Sequence, residues 1–471
     1  MDKTNQSPLP LEGAGGGPDL IIIGAGPGGY RAAEHAAKNG LKVVVFEGAH
    51  VGGTCLNEGC IPTKAYARNA EVLSLVREAA TFGITINGAP AFSLEQARQR
   101  KDTVIETLRS GIDTLLGHPN ITMVRANARF VDAHTVATCP VSGDTTATEA
   151  TYTAPHIIVA TGSVPKVLRL KAPAARRVLD SSDLLQLDHL PERLCIIGAG
   201  VIGMEFASIF NAFGTQVMVV EFLKECLPAL DSDIAKRLRK VLEKRGVTFC
   251  MQSAVTAITE QGVVFENKKG KEEVVEADEV LMAVGRAPRV SDDFAHAGFD
   301  FDARTGIKVD DHMQTTMPGI YAIGDVNGRM MLAHAAEMQA IHVVNHILGK
   351  ADEINLNIIP AAIFTAPEAA SVGKSEDQLK AEGVEYECRK AFHRANGKAL
   401  AMNETEGMVK LLSEPGAGRI LGCHAFGAHA ADMIQEVSVL MCRQTTVAQL
   451  RDMVHIHPTL SEIVLAAAEQ S

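Results

Sequence analysis

Two cysteines five positions apart are the residues of this chain best suited to redox chemistry. Cys55 and Cys60 stand in the stretch Gly-Gly-Thr-Cys-Leu-Asn-Glu-Gly-Cys-Ile-Pro-Thr-Lys. In a regular helix this offset would separate the two Cα atoms by roughly 8.6 Å, whereas a disulfide tolerates no more than about 7 Å. If the pair bonds, the segment 57–59 must depart from an ideal helix, which Gly59 and Pro62 permit. A local, distorted disulfide of this kind is typical of thiol–disulfide exchange.

Two other interpretations of the cysteine pair stay open at this point. A zinc site would need further Cys or His ligands at short spacing, and none lie near the pair in the sequence. Two unrelated buried thiols would need no special spacing at all. The nine cysteines are an odd number for a fully paired secreted scaffold, so most of them are expected to be reduced thiols.

The pattern of a dinucleotide-binding turn occurs twice in the chain. In each copy a short apolar run predicts a buried strand, G-x-G-x-x-G follows, a helix begins, and a second apolar strand ends at a glutamate. The first glycine and the acid are equally far apart in both copies, and this repetition argues against an ordinary Gly-rich surface turn. The residues are Gly24, Gly26, Gly29 and Glu47 in the first copy, and Gly198, Gly200, Gly203 and Glu221 in the second.

Each position of this pattern has a physical role. The first glycine allows a tight turn, the second lets a pyrophosphate approach the backbone, and the third lets the helix pack against the strand. The helix N-terminus faces the anion, and the acid accepts a hydrogen bond from a ribose hydroxyl. Two such sites imply electron transfer between a bound flavin and an exchanging nicotinamide. Because Glu221 would repel a 2′-phosphate and Lys224 is the only base near it, the sequence favours NAD over NADP.

The composition limits the classes of function. The 471 residues suggest about three or four domains. A formal net charge of −11 disfavours binding to nucleic acid, as does the absence of Trp. No apolar stretch approaches the roughly 18 residues of a membrane span. We therefore expect a cytoplasmic protein without nucleic acid or membrane partners, whose Gly-rich residues 1–18 form a flexible tail.

Taken together, the motifs resemble those of the class I pyridine nucleotide–disulfide oxidoreductases over essentially the whole chain after the tail. Beyond the cysteine stretch and the glycine turns, the resemblance includes Ala-Thr-Gly-Ser at 160–163, Ala-Val-Gly-Arg at 283–286 and Tyr-Ala-Ile-Gly-Asp at 321–325. It continues with Met-Leu-Ala-His at 331–334 and His-Ile-His-Pro-Thr-Leu-Ser-Glu at 455–462.

The resemblance implies one non-covalently bound FAD per subunit, NAD⁺/NADH as co-substrate and no metal. The residues that it assigns to FAD are Gly24, Gly26, Gly29, Glu47, Thr54, Lys64, Thr161, Gly162, Ser163, Asp325, Met331, Leu332, Ala333 and His334. Those that it assigns to NAD are Gly198, Gly200, Gly203, Glu205, Glu221, Val255 and Gly285.

The resemblance also implies the roles of the catalytic residues. His457 would take a proton from a substrate thiol, because the thiolate is the nucleophile. The thiolate would attack Cys55, and the released Cys60 thiolate would face the flavin. Lys64 and Glu205 are expected to lie near each other and near the flavin N5. The residues implied in catalysis are Cys55, Cys60, His457, Glu462, Lys64 and Glu205.

Within the family, the chain is most similar to the dihydrolipoamide dehydrogenases. It lacks the C-terminal cysteine pair of mercuric reductases and large thioredoxin reductases, and no basic residues stand where glutathione reductases receive a 2′-phosphate. The similarity implies reoxidation of dihydrolipoyl groups, with lipoyl domains and the acyltransferase core of a 2-oxoacid dehydrogenase complex, or a glycine cleavage protein, as partners. A glutathione reductase-like enzyme and a flavoprotein kept as a binding subunit of a multienzyme complex are the alternatives. Glu58 departs from the Val of many relatives.

Two roles compete for Glu462. Thr459-Leu-Ser-Glu462 before an apolar run is a capping-box pattern, in which the glutamate closes a helix N-terminus. In the family, the same residue accepts a hydrogen bond from His457 and stabilises the imidazolium. The family role is favoured, with capping as a secondary role. The resemblance also implies a cis Pro458 and a dyad that serves the redox pair of the other subunit of a homodimer.

The expected fold class is α/β, with two Rossmann-like dinucleotide-binding domains, a central domain and a C-terminal α+β dimerisation domain. The central domain should complete the FAD site through Asp325, and the last domain should make the homodimer. The expected ranges are 19–160 for FAD binding, 161–288 for NAD binding, 289–357 for the central domain and 358–471 for the interface domain.

Overall fold

The computed structural model describes residues 16–139, 150–170 and 173–470, so most of the predicted N-terminal tail lies outside the described residues. The strands are β1 Leu20–Ile23, β2 Val43–Phe46, β3 Ile121–Val124, β4 Asn127–Phe130, β5 Thr135–Cys139, β6 Thr151–Thr153, β7 His156–Val159, β8 Ser163–Pro165, β9 Arg193–Ile197, β10 Gln216–Glu221, β11 Thr248–Met251, β12 Ala254–Ile258, β13 Gly262–Glu266, β14 Glu272–Glu276, β15 Glu279–Met282, β16 Arg286–Pro288, β17 Phe301–Asp302, β18 Gly306–Ile307, β19 Ile320–Ala322, β20 Ala361–Ile363, β21 Glu368–Gly373, β22 Glu387–Phe392, β23 Met408–Ser413 and β24 Ile420–Gly427.

The α-helices follow the same chain order. They are α1 Pro27–Lys38, α2 Gly53–Glu58, α3 Cys60–Arg77, α4 Leu94–Leu116, α5 Ser181–Leu184, α6 Val201–Phe213, α7 Ser232–Lys244, α8 Phe294–Ala297, α9 Ala333–Ile347, α10 Glu376–Glu382, α11 Gly397–Ala401, α12 Ala430–Cys442, α13 Val447–Arg451 and α14 Glu462–Ala468. In the part of the chain that the structure describes, none of these helices is long and apolar enough to cross a membrane.

The first predicted dinucleotide-binding unit is a parallel sheet with strand order β19-β7-β1-β2-β3. All four residues of β1 are buried, since alternate side chains enter two different cores. On one face the strand packs against α1 and α9, and on the other against the antiparallel strands β4 and β5. A strand that is covered on both faces has apolar residues at consecutive positions, so its sequence clearly predicts a buried strand.

The second unit repeats this arrangement with other residues. Its parallel sheet has the order β11-β10-β9-β15, and α6 and α7 pack on one face. The antiparallel sheet β12-β13-β14 packs on the other face. Strand by strand, β9, β10, β11 and β15 correspond to β1, β2, β3 and β7. The two Rossmann-like units that the repeated motif predicts are therefore confirmed.

The C-terminal segment forms an antiparallel sheet with the order β20-β21-β24-β23-β22. Strands β23 and β24 are buried almost throughout rather than on alternate residues. Side chains such as Val409 and Leu411 pack with α12 and α14, while Met408 packs into the core that contains α6.

The chain folds into two compact units that are discontinuous in sequence. Among the described residues, one unit contains those within 1–62, 100–166 and 286–356, and the other contains those within 63–99, 167–285 and 357–471. The first unit joins the predicted central segment to the FAD segment, since β19 extends the sheet of β7. The finer division into four domains stays a prediction.

A lysine is fully buried within the sheet of the second compact unit. Lys410, on β23, is 1% exposed, and its Nζ lies 2.9 and 3.0 Å from the carboxylate oxygens of Asp231, which is 0% exposed. Glu376 completes the cluster with a second ion pair to the same Nζ. Asp231 also accepts hydrogen bonds from the backbone N–H groups of Asp233 and Glu376, so its charge is neutralised and its lone pairs are used.

We expect Lys410→Met to lower the free energy of unfolding by about 3–5 kcal/mol, because Asp231 would then be a buried charge without its cation. Lys380→Met is the matched control. Lys380 pairs with the same Glu376 at 2.7 Å, but it is 61% exposed, so its removal should leave the free energy of unfolding nearly unchanged. Urea denaturation of both variants measures the difference, and equal losses would contradict the assignment.

Candidate functional site

The cysteine stretch forms two helices with a break between them. α2 ends at Glu58, Gly59 has φ −137° and ψ −109°, and α3 begins at Cys60. A Cβ at Gly59 would lie 3.0 Å from the backbone oxygen of Thr54, a close contact that a larger residue could make only with a small shift of the backbone. The predicted departure from a regular helix is confirmed. The bond between the two sulfur atoms stays a prediction.

The two cysteines differ in their surroundings. Cys55 is the third residue of α2 and is half-buried, whereas Cys60 is exposed. Cys60 is also the first residue of an 18-residue helix, where the helix dipole favours a thiolate. Thr54, which the resemblance assigns to FAD, precedes Cys55 in α2 and is half-buried.

Lys64 and Glu205 form the ion pair that the resemblance implies. Lys64 lies on α3 and its Nζ is 3.0 Å from both carboxylate oxygens of Glu205 on α6. Glu205 is 4% exposed and also accepts a hydrogen bond of 2.8 Å from the backbone N–H of Phe364. The Lys64 ammonium stands 4.6 Å from the centroid of the Phe364 ring. The lysine is therefore held in one place as a cation.

In the first glycine turn, the backbone at Gly24 and the packing at Gly29 have the geometry that the sequence predicts. Gly24 has φ +102°, and a Cβ there would lie 2.4 Å from the backbone oxygen of Ala160. A Cβ at Gly29 would lie 1.8 Å from the backbone oxygen of Gly24, so the helix could not pack closely with any larger residue. A Cβ at Gly26 would have its nearest neighbour, the Cα of Gly53, at 3.9 Å, which leaves space beside the start of α1.

The second glycine turn has the same geometry. Gly198 has φ +104°, with Ala283 in the place of Ala160, and a Cβ at Gly203 would lie 2.0 Å from the oxygen of Gly198. Around Gly200 nothing lies within 4 Å of the added Cβ. No side chain among the described residues caps the N-terminus of α1 or α6, so both helix ends can face an anion.

The two acids occupy equivalent positions. Glu47 accepts hydrogen bonds from the backbone N–H groups of Ala25, at 2.9 Å, and Ala49, at 2.8 Å. Glu221 accepts from Ala199, at 2.6 Å, and from Leu223, at 2.7 Å. Each carboxylate oxygen keeps a lone pair for a ribose hydroxyl. With open space at the second glycine and an oriented carboxylate beside it, both turns fit a dinucleotide.

The remaining segments assigned to FAD lie in the first compact unit. The Ser163 hydroxyl is hydrogen-bonded to Asp325, at 2.5 Å, and to the Arg286 side chain, at 2.7 Å. Arg286 also donates to the backbone oxygen of Ser163, and the Thr161 hydroxyl donates to that of Arg289. These contacts bring the 160–163 segment, in which Gly162 has a positive φ, together with Asp325. Four further predicted FAD residues lie at the start of α9 or just before it: Met331, Leu332, Ala333 and His334.

Of the other residues assigned to NAD, Gly285 has φ +98° and ends the segment after β15, while Val255 is half-buried in β12. Among the described residues no group of three or more His, Cys, Asp or Glu side chains is arranged to hold a metal ion. His342 on α9 is paired with Asp352 at 3.0 Å and with His312 at 3.2 Å.

His457 and Glu462 form the predicted dyad. The Nδ1 atom of His457 lies 2.9 Å from Oε1 of Glu462, and the imidazole is 81% exposed. Oε2 of Glu462 accepts from the backbone N–H of Thr459 at 2.8 Å, and this bond, followed by that from His457, lowers the pKa of Glu462. The carboxylate therefore meets both roles at once, one with each oxygen. The His457–Pro458 peptide bond is cis, as the resemblance implies.

The capping box itself is only half formed. The Thr459 hydroxyl donates to the backbone oxygen of Ile456 instead of capping the helix, and α14 begins at Glu462. The neighbouring His455 is held differently from His457. Its Nε2 lies 2.9 Å from Glu436 and its side chain is 7% exposed. Only the exposed histidine can act on a substrate in solution.

Several residues of the site were missed from the sequence. Phe364 and Arg286 contact the predicted site residues, Glu436 fixes His455, and Arg109 contacts the cysteine stretch at Asn57. Each lies far along the chain from the motif that it supports. A single sequence carries no signal for such a contact.

The fold and the site define an oxidoreductase with two dinucleotide sites and a cysteine pair. The chain belongs to the pyridine nucleotide–disulphide oxidoreductases: it matches the family described by that name over residues 18–340 and the dimerisation domain of the same family over 359–468. Proteins of this family use FAD and NAD(H).

Comparison with individual proteins agrees with this family. Dihydrolipoyl dehydrogenase of Mycoplasma pneumoniae is 37% identical over 452 residues, which is 95% of this chain and 96% of the relative. Among solved structures, LpdA of Mycobacterium tuberculosis is similar with a TM-score of 0.86 and 27% identity, over 95% of this chain and 98% of that one. The HOCl-induced flavoprotein disulfide reductase RclA of Escherichia coli has a TM-score of 0.82 and 29% identity, over 96% and 99%.

The glycine geometry predicts different effects of two neighbouring substitutions. Gly200→Ala fills the open space where a pyrophosphate would approach, so it should raise the KM for the nicotinamide at least about tenfold with little change in thermal stability. Gly203→Ala places a Cβ against the oxygen of Gly198, so it should lower the melting temperature. Steady-state kinetics and thermal melts measure both, and an unchanged KM in Gly200→Ala would place the nucleotide elsewhere.

Proposed function

We propose that this chain is a dihydrolipoyl dehydrogenase that reoxidises dihydrolipoyl groups with NAD⁺: dihydrolipoyl + NAD⁺ → lipoyl + NADH + H⁺. The observation that carries the proposal is the exposed His457 imidazole, whose Nδ1 is fixed by Glu462. The 37% identity to a dihydrolipoyl dehydrogenase along nearly the whole chain supports the choice of substrate.

In the proposed reaction, Nε2 of His457 takes a proton from one substrate thiol. The Nδ1 contact with Glu462 favours the tautomer in which Nε2 carries the lone pair, and the carboxylate stabilises the imidazolium that forms. The substrate thiolate attacks the Cys55 sulfur and releases Cys60 as a thiolate. The second substrate thiol then displaces Cys55, which completes the lipoyl disulfide and leaves the protein dithiol.

FAD supplies the transfer of the electron pair from the dithiol to NAD⁺. The residues that would hold it are those of the first glycine turn with Glu47, together with the Ser163–Asp325 contact. Lys64, fixed by Glu205, would place a positive charge beside the bound ring system. These assignments are proposals that rest on the match between the predicted residues and the geometry of the turns.

We further propose NAD as the nicotinamide. Glu221 is 8% exposed and is oriented by two backbone N–H groups. Its carboxylate is therefore fixed and would repel the 2′-phosphate of NADP. Lys224 is exposed, and the nearby Glu225 is bound to Arg239, which neutralises that guanidinium.

We also propose a homodimer through the family's dimerisation domain, with lipoyl domains and an acyltransferase core, or a glycine cleavage protein, as partners. The cytoplasmic location stays a prediction.

A parallel assay tests the function. NADH formation from dihydrolipoamide and NAD⁺ should exceed both NADP⁺ reduction and NADPH oxidation with glutathione disulfide by at least about 10²-fold in kcat/KM. Cys55→Ser should abolish the first reaction, while electron transfer from NADH to a dye should partly survive. Dominance of the glutathione reaction would make the chain another disulfide reductase, which is also what RclA is.

The dyad predicts graded losses. His457→Ala should lower lipoyl turnover by at least about 10²-fold, which is the usual size of a lost general base. Glu462→Gln should lower it clearly but less, because the amide oxygen can still accept from Thr459 while the imidazolium loses its counter-charge. His189→Ala, at an exposed histidine 2.9 Å from Asp188, is the control and should be neutral. Full activity in Glu462→Gln would reduce the glutamate to a helix cap.

A further inference from the structure

An asparagine side chain lies at the centre of the cysteine stretch. The Nδ2 atom of Asn57 donates to the backbone oxygens of Val51, at 3.0 Å, and Gly53, at 2.8 Å. Val51 belongs to the turn that leads into α2, and Gly53 is the first residue of α2. Because Asn57 itself lies on α2, its amide ties the helix that carries Cys55 to its own entry turn.

The other end of the same amide is held from a distant helix. Arg109 on α4 donates to Oδ1 of Asn57 through Nε, at 3.2 Å, and through Nη2, at 2.7 Å. Its Nη1 is bound to Glu106, at 2.9 Å, and the guanidinium is 25% exposed. Both hydrogen bonds run from one planar cation to the same oxygen atom, so together they fix the position of Oδ1.

The entry turn has little freedom of its own. Gly52 and Gly53 have φ values of +90° and +55°, and a Cβ at Gly53 would lie 2.8 Å from the Cα of Gly26. The backbone N–H of Gly52 donates to Ala25 at 2.8 Å. A continuous series of contacts thus connects the first glycine turn, the entry turn, Asn57 and Arg109. On the other side of α2 the helix is broken at Gly59, so this connection contributes to the orientation of the short helix.

We propose that Arg109 is a positioning residue for the redox pair: through Asn57 it holds α2 so that the Cys55 sulfur stays within bonding reach of Cys60. This inference rests on the proposed pairing of the two cysteines. A held pair has a higher effective concentration of one thiol at the other, which favours the disulfide. Loss of Arg109 lets α2 move and shifts the equilibrium towards the dithiol. The equilibrium is protein disulfide + 2 glutathione ⇌ protein dithiol + glutathione disulfide.

The test is a redox titration of the full-length holoenzyme in glutathione buffers, with the state of the Cys55–Cys60 peptide determined by alkylation and mass spectrometry. Arg109→Met should raise the equilibrium constant for reduction by about five- to tenfold, which corresponds to roughly 20–30 mV. Arg125→Met is the matched control. Arg125 forms an ion pair of 2.8 Å with Asp113, which lies on α4 like Arg109. Loss of Arg125 should leave the equilibrium constant for reduction unchanged.

Two further variants separate geometry from charge. Arg109→Lys keeps the cation but not the two-pronged contact, so it should also shift the equilibrium, and a wild-type constant in that variant would overturn the inference. On an Asn57→Ala background, Arg109→Met should add no further shift, because in this proposal Arg109 acts through the Asn57 side chain. Additive shifts would overturn the inference as well. Absence of a Cys55–Cys60 disulfide in the wild-type protein would instead reject the proposed function itself.

Discussion

The contact between the first and third glycines of each turn is the constraint on which the two dinucleotide units depend. In both units a Cβ on the third glycine would lie far inside van der Waals contact with the first glycine's oxygen, at 1.8 Å in one and 2.0 Å in the other. This approach sets the start of α1 and α6 against the parent strand. It also leaves the second glycine, Gly26 or Gly200, facing open space, and it aligns the helix end with that space.

Charges inside this protein are paired by short, fully used contacts. Glu205 receives Lys64 and a backbone N–H, and Asp231 receives Lys410 together with two backbone N–H groups. Burying a charge without such partners would cost several kcal/mol, so each of these two carboxylates fixes the position of its lysine. At Lys64 that fixed position has a functional use in the proposed reaction. At Lys410 it connects a strand to the start of α7.

The proposed catalytic groups lie at local departures from regular structure. The cysteines lie on either side of a helix break at Gly59, and the dyad lies between a cis-proline and the start of α14. In both places one side chain with two hydrogen-bonding ends supplies the rigidity that the backbone lacks. Asn57 does so for the cysteine stretch, and Glu462 does so for His457.

The sequence by itself determined features that depend on neighbours along the chain. The spacing and the conformations of glycine and proline predicted both glycine turns and the break near Gly59, and the repeated motif predicted the acids at Glu47 and Glu221. The His457–Glu462 pair was predicted from the family resemblance, because the local pattern by itself indicated a capping box. The burial of β23 and β24 on both faces depends on what packs against them.

Only the tertiary structure decided which distant residues support those motifs. Arg109, Phe364 and Glu436 reach their partners across large separations in the chain, and Lys410 looks like a surface residue until the start of α7 is packed against its strand. Which side chains orient a site depends on their distance from it in the folded structure, and that distance cannot be obtained from the residue types of a single sequence.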